Sequence, residues 1–230
     1  MIINKVKLTI NTANGVGIYI IGSGSGPSIR NDRKLITNVD ITYTGTLTSN
    51  CRVVSLKDHV GIINSTVLEN VSITASSPNG GDIAGIMAYN EACVWYPWKN
   101  VYINVSSNTL AITDTFGIQY CYTLEMYNIY IISTHYSMST NINPALIKVY
   151  RSTFIHDING SSTSFNNDTA LSSQFNHCEF INLGGGDAIY TSPTCTSLLG
   201  NCRFMGARGG GGTNTVGNSY IDTAGTWSEI

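Results

Sequence analysis

The sequence predicts an all-β fold in which a single chain winds into a parallel solenoid of about seven to eight coils. Three observations predict it: a recurring four-residue frame, alternation of apolar and variable positions within that frame, and a composition of strand and corner residues. The frame at its clearest is Asn100-Val101-Tyr102-Ile103. Asn38-Val39-Asp40-Ile41 and Asn70-Val71-Ser72-Ile73 precede it, and Asn128-Ile129-Tyr130-Ile131 follows. The apolar residues then change while the frame persists, in Arg151-Ser152-Thr153-Phe154, His177-Cys178-Glu179-Phe180 and Asn201-Cys202-Arg203-Phe204. The closing positions 41, 73, 103, 131, 154, 180 and 204 are separated by 32, 30, 28, 23, 26 and 24 residues. A repeat of about 20 to 50 residues marks a solenoid or array.

Within each frame, period-two alternation places two residues on one face of a strand and one on the other. The inward column reads Val39, Val71, Val101, Ile129, Ser152, Cys178, Cys202, joined two residues on by Ile41, Ile73, Ile103, Ile131, Phe154, Phe180 and Phe204. The outward column reads Asp40, Ser72, Tyr102, Tyr130, Thr153, Glu179 and Arg203. Ser152 is the one polar residue of the inward column, so the register is least secure there. Asn leads five of the seven frames, at Asn38, Asn70, Asn100, Asn128 and Asn201. Asn tolerates left-handed backbone and bonds to nearby main chain. Stacked at one corner of successive coils, these side chains are expected to form a structural ladder.

The repeat, the Asn corner and the stacked apolar columns resemble those of the right-handed parallel β-helix proteins, the pectate-lyase-like superfamily that includes polygalacturonases and phage tailspikes. The resemblance covers about residues 15 to 222. It implies a right-handed coil, in line with the general bias of parallel crossovers. It is specific for fold and not for activity, because this fold carries many functions.

Composition agrees with the solenoid. Charged residues make up 11% and hydrophobic residues 42%, with 23 Gly; a typical soluble domain has about 25% charged residues. Surface polarity therefore rests on Asn, Ser, Thr and Tyr, which suit strands and corners. The net charge of −2 and the lack of a basic stretch exclude nucleic acid as an expected partner. No segment reaches 18 apolar residues, so no membrane span is expected. The start, Met1 to Ile10, lacks the apolar run of a secretory leader. The six cysteines are Cys51, Cys93, Cys121, Cys178, Cys195 and Cys202. Cys178 and Cys202 stand where other coils carry Val or Ile and read as small buried hydrophobes, so free thiols are expected. No Cys-x-x-Cys pair occurs and no Cys and His stand at zinc-knuckle spacing, so neither metal nor cofactor is expected.

The whole chain, 1–230, reads as one domain. Residues 1–14 form an N-terminal strand or cap, 15–204 the coils, and 205–230 a glycine-rich closing segment. Lys5 to Ile10 is the first strand and Gly15 to Ile21 the first coil strand. Gly22 to Pro27 is a loop. It has no Lys-Ser/Thr and no following helix to make it a phosphate cradle. Second strands are expected at Arg52 to Leu56, Ile83 to Tyr89, Phe116 to Tyr120, Ala145 to Tyr150 and Asp187 to Tyr190. Residues 159 to 173 read as a polar loop or weak strand, and Asn218 to Asp222 as the last strand, with Trp227 closing the end or docking on a neighbour.

The longest insert, Asn90 to Lys99, holds two of the three Trp. Trp95, Tyr96 and Trp98 are candidates to stack on a sugar or to bury in a subunit contact, against the plainer reading of a cover over the core. Tyr102 and Tyr130, outward in adjacent coils, are candidates for a flat contact surface. Enzymes of the resembled family need clustered Asp with an Arg base, or paired Asp with Gly-His-Gly and Arg-Ile-Lys. None of these sets is complete, and Leu146-Ile147-Lys148 is a faint echo of the last. Asp40 and Glu179 lie about five coils apart, roughly 24 Å, too far for a glycosidase pair at about 5–9.5 Å. Asp82, Glu91, Asp114 and Glu125 could meet across neighbouring coils, and His156 with Asp157 could form a base and its orienter. No catalytic residue is assigned. The expected function is a non-enzymatic virion component, a phage tail fibre, spike or baseplate β-helix, folded in the host cytoplasm. A homotrimer or other virion proteins are its expected partners, and a cell-surface glycan a further one. The alternatives are a polysaccharide lyase or glycoside hydrolase, and an extracellular adhesin or filament subunit.

Overall fold

A computed structural model describes residues 2–11, 16–21, 33–44, 51–57, 65–77, 83–94, 97–107, 116–134, 138–140, 146–157, 165–167, 172–210, 213–217, 220–223 and 226–229. The described secondary structure is all β, and its strands stack in parallel as a solenoid.

The corner of each coil divides the strands into stacks. In the early coils one long strand runs through the corner, as in Arg33–Tyr43, Ser65–Ser77 and Trp98–Ser107. Its first half belongs to a leading stack and its second half to a trailing stack. In later coils the corner splits the strand in two. Leu146–Tyr150, Ser172–Asn176, Thr196–Gly200 and Thr213–Gly217 continue the leading stack. Thr153–His156, Glu179–Asn182, Arg203–Met205 and Tyr220–Thr223 continue the trailing one. A third stack holds Val16–Ile21, Cys51–Lys57, Ile83–Val94, the start of Phe116–Ser133, then Met138–Thr140, Phe165–Asn167, Asp187–Thr191 and Ala207–Gly209.

The coil count differs from the expected seven to eight: pairing along the trailing stack gives nine rungs, from Ile2–Ile10 to Tyr220–Thr223. The extra rung at the start follows the same frame with Lys5 in the Asn position, so that Val6 pairs with Val39 and Leu8 with Ile41. At the other end Thr226–Glu229 turns back antiparallel on Tyr220–Thr223, with Trp227 opposite Asp222. The final strand thus covers the edge of the trailing stack. A second correction concerns Ala145 to Tyr150. It is not a third-stack strand like Phe116 to Tyr120 but the leading half of a corner, paired with residues 123–127.

The core is a set of stacked columns. Val39, Val71, Val101 and Ile129, then Ser152, Cys178 and Cys202, are all buried, as expected. So are Ile41, Ile73, Ile103 and Ile131, followed by Phe154, Phe180 and Phe204. The two columns trade volume. Where Ile gives way to Phe in the second, Val gives way to Ser and Cys in the first, which keeps the interior filled. The three Phe rings stack at 5.3 Å between centroids, tilted by 13° and 5°. A third column stands two residues before each corner: Ile36, Leu68, Trp98, Met126, Val149, Phe175 and Leu199, all buried.

Five residues past the corner the column begins apolar, with Tyr43, Ala75 and Val105, and becomes polar with Ser133, His156 and Asn182. Asn182 shapes the turn that follows. Its Oδ1 accepts from the Gly184 and Gly186 N–H groups at 2.9 and 3.3 Å, and its Nδ2 donates to the Asp187 carbonyl at 3.0 Å. A buried amide is thereby satisfied at both ends.

The column assignment predicts opposite results at two aromatic residues of one strand. Trp98→Ala should destabilise by about 3–5 kcal/mol, because the cavity opens in the core. Tyr102→Ala should cost about 1 kcal/mol or less, because only an outward pair is lost. Urea unfolding of the two variants measures this directly.

Candidate binding face at the asparagine corner

Eight successive coils turn through one residue held in the left-handed region. Lys5, Asn38, Asn70, Asn100, Asn128, Arg151, His177 and Asn201 have φ between 51° and 56°. For most L-residues that conformation costs roughly 1–2 kcal/mol, and Asn tolerates it best. The Asn side chains also bond along the stack. Asn128 Nδ2 donates to Asn100 Oδ1 at 3.0 Å, Asn100 to Asn70 at 2.9 Å, and Asn70 to Asn38 at 3.0 Å. Asn38 then donates to Asn4 Oδ1 at 3.0 Å, one residue ahead of the Lys5 corner. The expected ladder is present.

Asn201 occupies the same corner but stands outside that ladder, because Arg151 and His177 interrupt it. Its Nδ2 donates instead to Asn176 Oδ1 at 3.3 Å. Beyond Asn128 the corner is tied from inside. Ser152 Oγ donates to the Tyr150 carbonyl at 2.9 Å and accepts from the Ile129 N–H at 3.0 Å. Cys178 Sγ donates to the Asn176 carbonyl at 3.5 Å and Cys202 Sγ to the Gly200 carbonyl at 3.3 Å. Each reaches back two residues across its own corner. The polar residue of the inward column is therefore a fully bonded corner clamp, and the register holds through it.

Cys178, Cys195 and Cys202 are buried thiols that form no disulfide, as expected for small core residues. Burial pushes the Cys178 thiol up, and the neighbouring Cys202 thiol adds to the effect. The side chains of Cys51, Cys93 and Cys121 lie outside the described residues.

Two pairs of stacked Tyr flank the corner. Tyr102 and Tyr130 stack on the trailing face at 5.6 Å, tilted by 8°, and are 37% and 38% exposed. Tyr127 and Tyr150 stack on the leading face at 4.9 Å, tilted by 11°. Tyr127 donates its hydroxyl to Glu125 Oε2 at 3.2 Å, and Lys148 Nζ sits 3.4 Å from Glu125 Oε1. Partial burial and the Glu125 carboxylate raise the Tyr127 phenol above its ordinary value. On the trailing face the Tyr102–Tyr130 column continues as Thr153, Glu179 and Arg203. Arg203 lies 3.4 Å from Glu179, which also accepts from Thr153 Oγ1 at 3.3 Å. Beside that column runs an outward aliphatic one, Ile132, Ile155, Ile181 and Met205, half-buried on four successive rungs.

The other candidates fall as follows. Trp95 and Tyr96 lie outside the described residues. Trp98 is 1% exposed in the core column, so it offers no ring to a sugar or a subunit. His156 is fully buried and points inward, whereas the next residue, Asp157, is exposed; they lie on opposite sides and do not form a base and orienter. Asp40 and Glu179 keep the outward column and are separated by the rungs of residues 72, 102, 130 and 153. Asp82, Asp114 and the Glu91 side chain lie outside the described residues. Among the described residues no three His, Cys, Asp or Glu gather to hold a metal, and no helix is long and apolar enough to cross a membrane.

These features define a parallel β-solenoid scaffold whose corner presents aromatic rings and amides on two adjoining faces. No family model, no curated protein and no solved structure matches the chain.

The corner predicts a ranking of substitutions. Asn100→Gly loses two ladder bonds but fits the left-handed backbone, and should cost about 1–2 kcal/mol. Asn100→Ala loses the same bonds and strains the corner, and should cost about 1–2 kcal/mol more. Thermal or urea unfolding of both variants gives the order.

Proposed function

We propose that the chain is a non-enzymatic structural component of a virion, the shaft of a tail fibre, spike or baseplate that serves host attachment. It packs side by side with two further copies through its trailing face. The observation that carries this reading is the outward stripe on that face. Stacked, exposed Tyr102 and Tyr130 adjoin the aliphatic column Ile132, Ile155, Ile181 and Met205 over successive rungs. An aromatic pair and an aliphatic column bordered by Thr153 and the paired Glu179 and Arg203 have the apolar centre and polar margin of a subunit contact. The tyrosines stand on a backbone fixed by the ladder, so little side-chain and backbone freedom is lost on packing. The resemblance of the repeat to phage tailspikes supports the trimer and the virion setting.

A second reading has its own observation. The first rung, Ile2–Ile10, pairs only with Arg33–Tyr43 among the described residues and leaves Ile2 73% and Val6 37% exposed. An open rung of this kind favours end-to-end assembly, as in a filament subunit.

Light scattering over a concentration series separates the two. Side-by-side packing predicts a constant threefold mass that Ile155→Lys reduces to a monomer with an unchanged circular dichroism spectrum. A monomer at every concentration contradicts both readings, and a mass that climbs with concentration favours the filament.

A further inference from the structure

The leading face carries a feature that the packing of subunits on the trailing face does not use. One residue before each corner, the outward column reads Tyr127, Tyr150, Asn176 and Gly200 on successive rungs. Two residues earlier in the strand, a parallel column reads Glu125, Lys148, Gln174 and Leu198. The aromatic stack therefore ends at Tyr150, and the surface steps down to an amide and then to a bare glycine. The step is an open depression of about 230 Å³ lined by Tyr150, Gln174, Phe175, Asn176, Leu198 and Gly200.

The lining sets the chemistry of its occupant. Tyr150 is braced from behind by Tyr127, which leaves its ring as one wall. Leu198, 43% exposed, adds an apolar patch. Gln174 and Asn176 add two neutral amides, and Asn176 spends only its Oδ1, on Asn201, among the bonds to described residues. Among the described residues that line the depression none is charged, and on the same face Glu125 and Lys148 pair with each other at 3.4 Å. An anion or a cation finds no counter-charge among the described lining residues. A purely aliphatic group leaves the amides unanswered. A ring with an apolar face and hydroxyls at its edge answers both, stacking on the tyrosine while its hydroxyls bond to the amides.

The geometry points to this notch beside Tyr150 as a binding site for a neutral pyranose ring of an oligosaccharide. It deepens the attachment reading by naming a ligand class and a place, and it does not depend on assembly of the trimer. Gly200 makes the notch, and the nearest described atoms to a Cβ built there are Asn176 Oδ1 and the Phe175 carbonyl at 3.8 Å and Asn176 Cγ at 3.9 Å, all at ordinary contact distance. Its φ is not left-handed. A side chain at 200 can thus fill the depression without backbone strain.

Saturation-transfer NMR and calorimetric titration of the full chain test the site, with isomaltohexaose, cellohexaose and chitohexaose as neutral probes. At least one should bind saturably. Gly200→Leu, with wild-type melting temperature, and Tyr150→Ala should each weaken that binding about tenfold or more, and Gln174→Ala about fivefold. Tyr102→Ala, on the other face, should leave it unchanged. The site is overturned if none of the three probes binds saturably, or if Gly200→Leu binds as well as the wild type. A chain that is monomeric yet binds through the notch defeats the trimer and keeps the site, whereas a threefold mass without binding does the reverse.

Discussion

One backbone conformation, repeated at one corner, governs this structure. Eight residues from Lys5 to Asn201 share φ of 51–56°, and each turns its strand from the leading stack into the trailing one. A left-handed residue is unfavourable for an L-amino acid and does not pass from one position to the next at no cost. The corner therefore pins the register. In a parallel stack a slip of one residue would turn the buried columns outward, and a slip toward the C-terminus would also move the left-handed conformation onto β-branched Val39, Val71, Val101 and Ile129. The amide ladder from Asn128 to Asn4 reinforces the pin in the first five coils. Where Arg151 and His177 replace Asn, the clamp moves inside, to Ser152 and Cys178, and Cys202 repeats it at the Asn201 corner beyond the ladder. Outer and inner devices satisfy the same corner, and this explains why polar and sulfur-bearing side chains occupy a column that is otherwise Val and Ile.

The corner also explains what could be read from the residues and what could not. The Asn positions, the inward pairs such as Val101 and Ile103, and outward Tyr102 were legible because they follow the corner within one strand. The column before the corner was not. A left-handed residue shifts the alternation by one, so Ile36 and Val39 both face inward although they are three residues apart. Period-two reading carried backward through Asn100 would turn Trp98 outward, toward a sugar or a subunit, whereas it stands in the core column beside Met126, in line with the plainer reading of a cover over the core. The same shift hid the role of Leu146 to Tyr150 as the leading half of a corner. His156 looked available beside Asp157 because adjacent residues look adjacent in a sequence. In a strand they face opposite ways.

The surface features needed the stacking itself. Tyr150, Asn176 and Gly200 come from three rungs and are 26 and 24 residues apart. Nothing marks them as neighbours until the register is known. The aliphatic stripe of Ile132, Ile155, Ile181 and Met205 is similar. Each residue alone reads as an ordinary strand residue, and only their alignment on one outward face gives them weight. The interior grades along the axis as well. Ser173 and Ser197 hydroxyls meet at 2.9 Å and Thr191 reaches Ser197 at 3.3 Å in the later coils, where the earlier coils are apolar. Shorter coils, larger Phe rings and small hydrogen-bonded residues go together in the later part of the chain, where bulky rings and small residues fill the interior between them.

The most direct test of the ladder is hydrogen exchange of the Asn side-chain amides, followed by NMR in the native protein. Hydrogen bonding along the stack predicts that the Nδ2 protons of Asn38, Asn70, Asn100 and Asn128 exchange much more slowly than those of Asn11, an exposed Asn at the end of the first strand. Equal, solvent-like exchange at all five would contradict a corner held by its asparagines.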